Sequence, residues 1–231
     1  SVQMPGGVMK QIWLQNAAFV WVIPILITSL LAHLMMNDIA DAKASFSEQA
    51  VIFRRKHNWL MCWLYLGTFG SYIGFSAGFP LLIKSQFPGV NPLAFAWMGP
   101  FLGALIRPVG GWLADKIGGA RVSLWTFVAM AAGVYGVMQY LPHGGAGGNL
   151  TGFFLCFMAL FLASGVGNGS TFRMIPVIFM DECLEAVRGQ GPDAQAAAAK
   201  EGVKQGAAVL GFTAAIGAYG GFFIPKSYGT S

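Results

Sequence analysis

Charged residues are scarce in this chain of 231 residues. Acidic and basic side chains make up 10% of it, whereas hydrophobic side chains make up 55%. An ordinary soluble domain carries about 25% charged residues, so the composition indicates a protein embedded in a membrane.

Cysteine is also rare, and Cys62, Cys156 and Cys183 show neither CxxC nor metal-ligand spacing. We therefore expect no bound metal, and no motif indicates a cofactor.

Apolar segments long enough to cross a bilayer, which takes about 20 residues, occupy most of the chain. They cover residues 11–36, 58–83, 92–114, 122–141, 150–180 and 206–225. Because helices satisfy their own backbone hydrogen bonds in lipid, the segments predict an all-α, polytopic helical membrane protein.

Asp and Glu are absent from all six segments. A proton-coupled transporter usually carries a titratable group along its path, so this absence favours exchange or uniport.

The basic residues outside these segments sort by loop. Loops 37–57, 115–121 and 181–205 carry nine of them, whereas the opposite face carries Lys10, Lys84 and Lys226. The positive-inside rule therefore predicts that those three loops are cytoplasmic. Loop 181–205 is also expected to hold a short surface helix around 193–200. This distribution accounts for the net charge of +5 without a nucleic-acid partner, and we expect contact with the lipid bilayer instead.

One cation, Arg107, lies inside the apolar run PLAFAWMGPFLGALIRPVGGWLA. A charge at the centre of a membrane helix costs at least about 2.5–3.5 kcal/mol, and such residues usually face a cavity or a partner on a substrate path. The guanidinium stays charged and offers a planar fork of donors, which suits an anion. The alternative is that Arg107 extends to the headgroups. Asp115 marks the helix end eight residues on, about 12 Å along the axis. That is a long distance for the Arg107 side chain to span to the headgroups.

Two aromatic residues are predicted to lie at the depth of Arg107. Tyr65 and Phe69 lie seven and eleven residues from the inner end of their segment, about 10 and 16 Å of helix. Because they are four residues apart, they share one helix face. A tyrosine hydroxyl can donate to an anion, and aromatic walls exclude water and strengthen the charge. The alternative is that both belong to the core.

Further polar residues lie in the fifth segment, where Asn168, Ser170 and Arg173 form a possible secondary site. Polar groups at membrane depth face protein or water. Arg173 could assist the anion, but a place at the inner mouth, paired with an acidic loop residue, fits equally well. Ser170 could instead be the nucleophile of a membrane-embedded serine hydrolase, which needs a histidine within hydrogen-bond reach. All three histidines lie at loops or helix ends, which argues against that function.

Two longer motifs resemble a known family. GFTAAIGAYGGFFIP (211–225) is similar to the glycine-rich nitrate signature of the NarK-type nitrate/nitrite porters, which belong to the major facilitator superfamily. GWLADKIGGAR (111–121) resembles a conformational loop that is common to many porters of that superfamily. The helix-packing positions of the first motif are Gly211, Gly217, Gly220 and Gly221. The matching positions of the loop are Gly111, Asp115, Lys116, Gly118 and Arg121.

The resemblance covers almost the whole chain and implies an architecture. The six segments would be helices six to eleven of twelve, with helix six and the central cytoplasmic loop in 1–57 and five helices of the C-terminal bundle in 58–231. The chain would then be a fragment, and the missing helices of the same polypeptide would be its partners. We expect a multi-pass protein of the inner membrane, without cofactor or enzymatic activity.

The resemblance also implies a function. Nitrate and nitrite would be the substrates, carried by alternating access either in exchange or with protons. Arg107 would be one of two arginines that clamp nitrate, and Tyr65 and Phe69 would line the same site. Three other functions stay open: a porter of the same architecture for another small anion, the serine hydrolase, and an anion receptor that binds without transport.

Overall fold

The computed structural model describes residues 2–3, 9–10, 14–36, 49–142 and 147–228. The chain divides into two compact units, Ser1–Lys43 and Ala44–Ser231. The division into 1–57 and 58–231 that the resemblance implies stays a prediction. His143 and most of loop 37–57 lie outside the described residues.

The first unit contains one long helix. Helix α1 spans Leu14–Met35, within the first predicted segment, and strands β1 (Val2–Gln3) and β2 (Met9–Lys10) pair in antiparallel fashion before it. Large apolar side chains such as Phe19 and Leu34 are exposed along this helix. A helix that is apolar on all sides is typical of a protein interior or of a membrane span.

The second unit is built from helices. Its elements are a 3-10 turn (Ala50–Arg54), α2 (Lys56–Tyr65), a π-helical turn (Leu66–Gly70), α3 (Ser71–Gln86), a 3-10 turn (Pro92–Ala94), α4 (Met98–Ile117), α5 (Gly119–Tyr140), α6 (Leu150–Ala186), α7 (Pro192–Ala218) and α8 (Gly220–Tyr228). Individual capping residues determine where two of these helices begin or end. Asn149 caps α6 by accepting a hydrogen bond from the N–H of Gly152 at 3.0 Å. Gly118 ends α4 with a φ of 92°, which glycine adopts at no steric cost.

Helix α6 is the centre of the second unit, since it packs against α4, α5 and α7. On its N-terminal half, Phe153, Phe157 and Phe161 pack against Phe75 and Phe79 of α3. The ring centroids of Phe79 and Phe157 lie 4.9 Å apart, and such an aromatic pair contributes about 0.5–1.5 kcal/mol beyond its area burial. Because lipid is as apolar as these side chains, close packing rather than escape from water holds the helices together.

Glycines let α4 and α6 cross with their backbones in contact. A β-carbon at Gly169 would overlap the carbonyl oxygen of Arg107, and one at Gly165 would overlap the carbonyl oxygen of Gly103. Small residues four apart are a common means by which membrane helices approach closely. The crossing therefore brings the middle of α6 to the level of Arg107.

The polar stretch before the last predicted segment is not a separate helix. Helix α6 continues to Ala186, and α7 runs unbroken from Pro192 to Ala218. Pro192 occupies the first turn, where its missing N–H is not needed. Four consecutive alanines (196–199) then carry the helix into its apolar part. The prediction of a short surface helix around 193–200 is therefore wrong, because nothing in the sequence breaks it off from the sixth segment.

Five stretches of helix are long and apolar enough to cross a membrane. They are Lys56–Gln86, Pro92–Ile117, Gly119–Tyr140, Leu150–Ala186 and Pro192–Tyr228. Each overlaps one of the last five predicted segments, and the first segment contains the shorter apolar helix Phe19–Met35. The predicted fold class is confirmed: the chain is a helical, multi-pass membrane protein.

Candidate functional site around Arg107

Arg107 lies half-buried in the middle of α4. Its guanidinium meets the carboxamide of Asn168 on α6, a residue that is 2% exposed. The amide oxygen faces the guanidinium, because the reverse orientation would set donors against donors. The oxygen accepts from Nη2 at 2.6 Å and from Nε at 3.1 Å. Hydrogen bonds that involve an ionised group are roughly twice as strong as neutral ones, so Asn168 anchors the guanidinium.

Two aromatic rings border the same guanidinium. Its central carbon, Cζ, lies 5.5 Å from the ring centroid of Phe69 and 4.7 Å from that of Tyr72. Tyr72 is held in place because its hydroxyl donates to the carbonyl of Pro100 on α4 at 2.8 Å. A cation over an aromatic face gains about 0.5–2 kcal/mol and keeps its charge. Tyr72 is not among the residues predicted from the sequence, although its spacing of three from Phe69 is the signal for a neighbour on the same helix face.

The π-helical turn Leu66–Gly70 carries Phe69 and joins α2 to α3. Such turns place an extra residue in the helix and are frequent at functional sites. Thr68 in this turn is fully buried, and its hydroxyl lies 3.2 Å from that of Thr171 on α6. A hydrogen bond of this kind between membrane helices contributes about 0.6 kcal/mol on average. The threonine pair therefore ties the turn to the helix that carries Asn168.

Tyr65 packs against Phe69, with the two ring centroids 5.1 Å apart. It is 4% exposed and belongs to a cluster that includes Phe179 of α6 and Val209 of α7. The structure thus brings Tyr65 to Phe69, and Phe69 to the guanidinium. The surroundings of Tyr65 match the alternative in which it is a core residue, and its role toward an anion stays a prediction.

The glycine motif of α7 reaches the same aromatic residues. A β-carbon at Gly217 would lie 2.9 Å from Cδ1 of Tyr65 and 3.0 Å from Cδ1 of Phe69. Gly211 differs, because no atom of the described chain lies within 4 Å of a β-carbon built there. Of these two glycines, only Gly217 is required by the packing of the described residues.

The last two glycines of the motif lie against α3 and the turn before it. A β-carbon at Gly220 would overlap the backbone of Gly70, and one at Gly221 would lie 2.5 Å from Cγ2 of Ile73. Backbone contact of this kind leaves no room for a side chain between the helices. The motif therefore sets α7 and α8 directly against the segment that carries Phe69 and Tyr72.

The other two members of the possible secondary site have different partners. Ser170 is fully buried, and its hydroxyl donates to the carbonyl of Gly119 at the start of α5 at 3.1 Å. Arg173 forms an ion pair with Asp115 at the end of α4, where Nε lies 2.8 and 3.1 Å from the two carboxylate oxygens. Of the two alternatives for Arg173, the structure thus has the pairing with an acidic loop residue. Of the three, Asn168 is the one bound to Arg107.

The predicted conformational loop connects α4 to α5 at the same end as this ion pair. Gly111 faces α6, and Nζ of Lys116 lies 4.2 Å from the ring centroid of Trp112. Gly118 turns the chain with its positive φ, whereas Arg121 is exposed. The loop is therefore a compact corner, and its role in conformational change stays a prediction.

The partners of Arg107 are neutral. Across the part of the chain that the structure describes, no carboxylate pairs with it, and no cluster of His, Cys, Asp and Glu is arranged to hold a metal ion. An amide oxygen and two aromatic faces do not compensate the positive charge of a guanidinium. Low dielectric surroundings strengthen the attraction of that charge for an anion. The arrangement therefore has the charge and the hydrogen-bond donors that a small anion would need.

Curated relatives match the chain over its whole length, whereas no protein-family model matches it. The nitrate/nitrite transporter NarU of Salmonella typhimurium is 49% identical over 230 residues, which are 100% of this chain and 49% of that protein. NarU of Escherichia coli is 48% identical over 230 residues, 99% of this chain and 48% of that protein. The probable nitrate/nitrite antiporter NarK2 of Thermus thermophilus is 37% identical over 220 residues, 94% of this chain and 44% of that protein.

The chain spans about half the length of the curated relatives it matches. These relatives are named as transporters, and those names agree with the expectation that the protein is not an enzyme. Their names also agree with the family that the glycine motif and the loop motif predict. The resemblance is confirmed, and the chain fits the NarK-type nitrate/nitrite porter family of the major facilitator superfamily.

Proposed function

We propose that this chain forms part of a transporter that moves nitrate and nitrite across the inner membrane by alternating access, with the Arg107 guanidinium as the anion-binding group. The observation that carries the proposal is the set of neutral partners around Arg107: the Asn168 amide and the rings of Phe69 and Tyr72. None of them brings a negative charge, so the cation stays available to a substrate. The names of the relatives suggest which anion that substrate is.

Nitrate and nitrite suit these surroundings in both shape and charge. Each is flat and carries one negative charge, and a guanidinium can donate to two oxygens in one plane. The faces of Phe69 and Tyr72 restrict the space beside the guanidinium to a flat group and reduce its contact with water. Attraction between opposite charges is several-fold stronger there than in bulk water. A bulky or doubly charged anion would be poorly matched to a single cation between rings.

Glycine contacts between helices support alternating access. Gly217 lies against the rings of Tyr65 and Phe69, and Gly220 lies against the backbone of Gly70. At these points the glycines of α7 and α8 have no side chains that would insert between the residues of α2 and α3. The two pairs of helices can therefore shift slightly against each other without repacking. Many transporters rock rigid bundles around a site near the bilayer midplane. Other helices of the same polypeptide would supply the opposite wall of the site.

Exchange of one anion for another is the favoured mode. The six apolar segments contain no Asp or Glu, so this chain offers no carboxylate at that depth to relay a proton. An empty site would leave the charge of Arg107 uncompensated inside the membrane, which is costly. A counter-anion carried on the return step removes that cost. A relative named as an antiporter agrees with this mode.

A porter for a different small anion is the second candidate, because a guanidinium alone does not separate nitrate from chlorate or formate. The serine hydrolase is not favoured, since the Ser170 hydroxyl donates to the backbone carbonyl of Gly119 and the relatives are named as transporters. An anion receptor would bind the same ligands without moving them.

Counterflow in proteoliposomes tests the proposal. The full-length product of the gene that encodes this chain is reconstituted into vesicles loaded with nitrite, and uptake of ¹⁵N-labelled nitrate is followed. We expect uptake that depends on internal nitrite and is suppressed by unlabelled nitrate more strongly than by chlorate, formate or phosphate. Stronger suppression by another of these anions would identify a different substrate. Binding of nitrate without uptake would instead indicate a receptor.

A further inference from the structure

Asn168 lies within hydrogen-bond distance of the Arg107 guanidinium, and its place is set by two glycines. A β-carbon at Gly167 would lie 2.5 Å from Cγ2 of Thr126 and 2.8 Å from Cγ2 of Thr68, and one at Gly169 would overlap the Arg107 carbonyl oxygen. The backbone on both sides of Asn168 is therefore pressed against neighbouring helices. With its backbone fixed in this way, the short carboxamide has little freedom to move away from the guanidinium.

The amide oxygen binds one particular edge of the guanidinium. It accepts from Nε and Nη2, which form the side edge of the planar fork. The end edge, made by one N–H of Nη1 and the second N–H of Nη2, is not used by this contact. Its two N–H groups are parallel and can donate to two oxygens of one flat anion. Asn168 thus determines which edge of Arg107 is presented to a ligand.

The neutrality of Asn168 is as important as its geometry. An aspartate at this position would have nearly the same shape and would accept the same two hydrogen bonds more strongly. It would also compensate the charge of Arg107, as Asp115 compensates the charge of Arg173 on the same pair of helices. A side chain that only supported the structure could be a carboxylate, whereas a side chain that must leave the cation attractive cannot.

We propose that Asn168 is a positioning residue for anion transport: it holds Arg107 by its side edge, directs the end edge to the substrate, and keeps the site positively charged by being neutral itself. This inference rests on the proposed function, since it concerns the same guanidinium. It predicts that selectivity for a singly charged anion depends on a residue that need not touch the anion.

The test is Asn168→Asp in the full-length protein, beside a matched control, Asn149→Asp. Asn149 caps the same helix, where a carboxylate is also a good cap and interacts favourably with the helix N-terminus. We expect Asn168→Asp to weaken nitrate binding and raise KM by about tenfold or more, because an ion pair then competes with the substrate. Its thermal stability in detergent should stay at or above that of the wild type. Asn149→Asp should transport like the wild type.

A purely structural role predicts the opposite result, namely wild-type nitrate affinity in Asn168→Asp, and that result would overturn the inference. Asn168→Ala is measured as well, in case the aspartate variant fails to fold. It removes the acceptor, and we expect about tenfold weaker nitrate binding; unchanged affinity in this variant would also overturn the inference. If the wild-type protein itself neither binds nor exchanges nitrate, the proposed function fails. If the wild type is active and the Asn168 variants keep its nitrate affinity, only the role of Asn168 fails.

Discussion

Two arginines lie inside apolar segments of this chain, and their surroundings differ. Arg107 on α4 contacts the Asn168 amide oxygen and two aromatic rings. Arg173 on α6 forms an ion pair with Asp115, and both side chains of that pair are about half exposed, at 54% and 50%. The first cation is surrounded by neutral groups, and the second is matched by a carboxylate. An arginine inside an apolar segment is therefore a candidate anion site only when its neighbours leave its charge uncompensated.

The difference follows from position along the helices. Asp115 lies in the last turn of α4, where a carboxylate can stay solvated, so Arg173 finds a partner at little cost. Arg107 lies eight residues deeper, about 12 Å, where an unpaired carboxylate would be costly to bury and a paired one would compensate the positive charge. Amide oxygens and ring faces stabilise a cation at that depth without neutralising it.

The largest effect is expected from replacing each arginine by lysine in the full-length protein. Arg107→Lys removes the planar fork that can hold Asn168 and an anion together, so nitrate uptake should fall by about 100-fold, the equivalent of one or two charge-assisted hydrogen bonds. Arg173→Lys keeps an ion pair with Asp115 and should change uptake by less than about threefold. Initial rates at equal protein level in the membrane measure both. Equal losses in the two variants would remove the distinction between the arginines.

A smaller but clear effect is expected from the glycine motif. In Gly217→Ala the new methyl group would lie 2.9 and 3.0 Å from Cδ1 of Tyr65 and Cδ1 of Phe69, closer than normal contact, and would displace these rings from their present positions. We expect uptake to fall by about tenfold, as overpacking typically costs 1–3 kcal/mol. Gly211→Ala is the matched control, because that position has open space, and it should behave like the wild type. If Gly211→Ala is the more damaging variant, the packing account of the motif is wrong.

A moderate effect is expected at Tyr72, the residue that the sequence analysis missed. Tyr72→Leu removes the ring beneath the guanidinium and should raise KM for nitrate by about three- to tenfold, the equivalent of one cation–π contact. Tyr72→Phe keeps the ring and loses only the hydrogen bond to Pro100, so its KM should change less. Concentration-dependent uptake by the two variants separates the ring from the hydroxyl. A larger loss in Tyr72→Phe would mean that the hydroxyl itself acts on the anion.

The smallest effect on nitrate is expected at the second arginine. Arg173→Ala and Asp115→Ala each break the same ion pair, so the double variant should be no worse than either single variant, as a double-mutant cycle requires for one interaction. Thermal unfolding in detergent measures the coupling, and nitrate KM should stay within about twofold of the wild type because a half-exposed pair contributes little. Additive losses would show that Arg173 has a second role.

Much of this arrangement could be predicted from single residues. The lone cation in an apolar run identified Arg107, and helical depth placed Phe69 at its level, where the structure has the two in contact. Arg173 was left with two alternatives, and the structure has its ion pair with Asp115. Depth and charge are properties of one helix at a time, so these contacts could be predicted, whereas the roles of Arg107 and Phe69 toward an anion stay predictions.

The remainder depends on how helices cross. Asn168 was predicted only as a polar residue at membrane depth, since its contact with Arg107 requires the glycine-lined approach of α6 to α4. The π-helical turn Leu66–Gly70 has no clear signature in the sequence, and it sets which faces of Phe69 and Tyr72 meet the guanidinium. The polar stretch predicts a short, separate surface helix around 193–200, whereas it forms the first turns of the long helix α7, because polarity marks solvent exposure and not the end of a helix.

Direct binding of nitrate to the purified full-length protein is the most immediate test of the Arg107 site. Isothermal titration is carried out on the wild type, Arg107→Gln and Arg173→Gln, which lose the same charge in different surroundings. We expect binding to vanish in Arg107→Gln and to persist with wild-type affinity in Arg173→Gln. Wild-type nitrate affinity in Arg107→Gln would contradict the account, because the anion would then be held by another group.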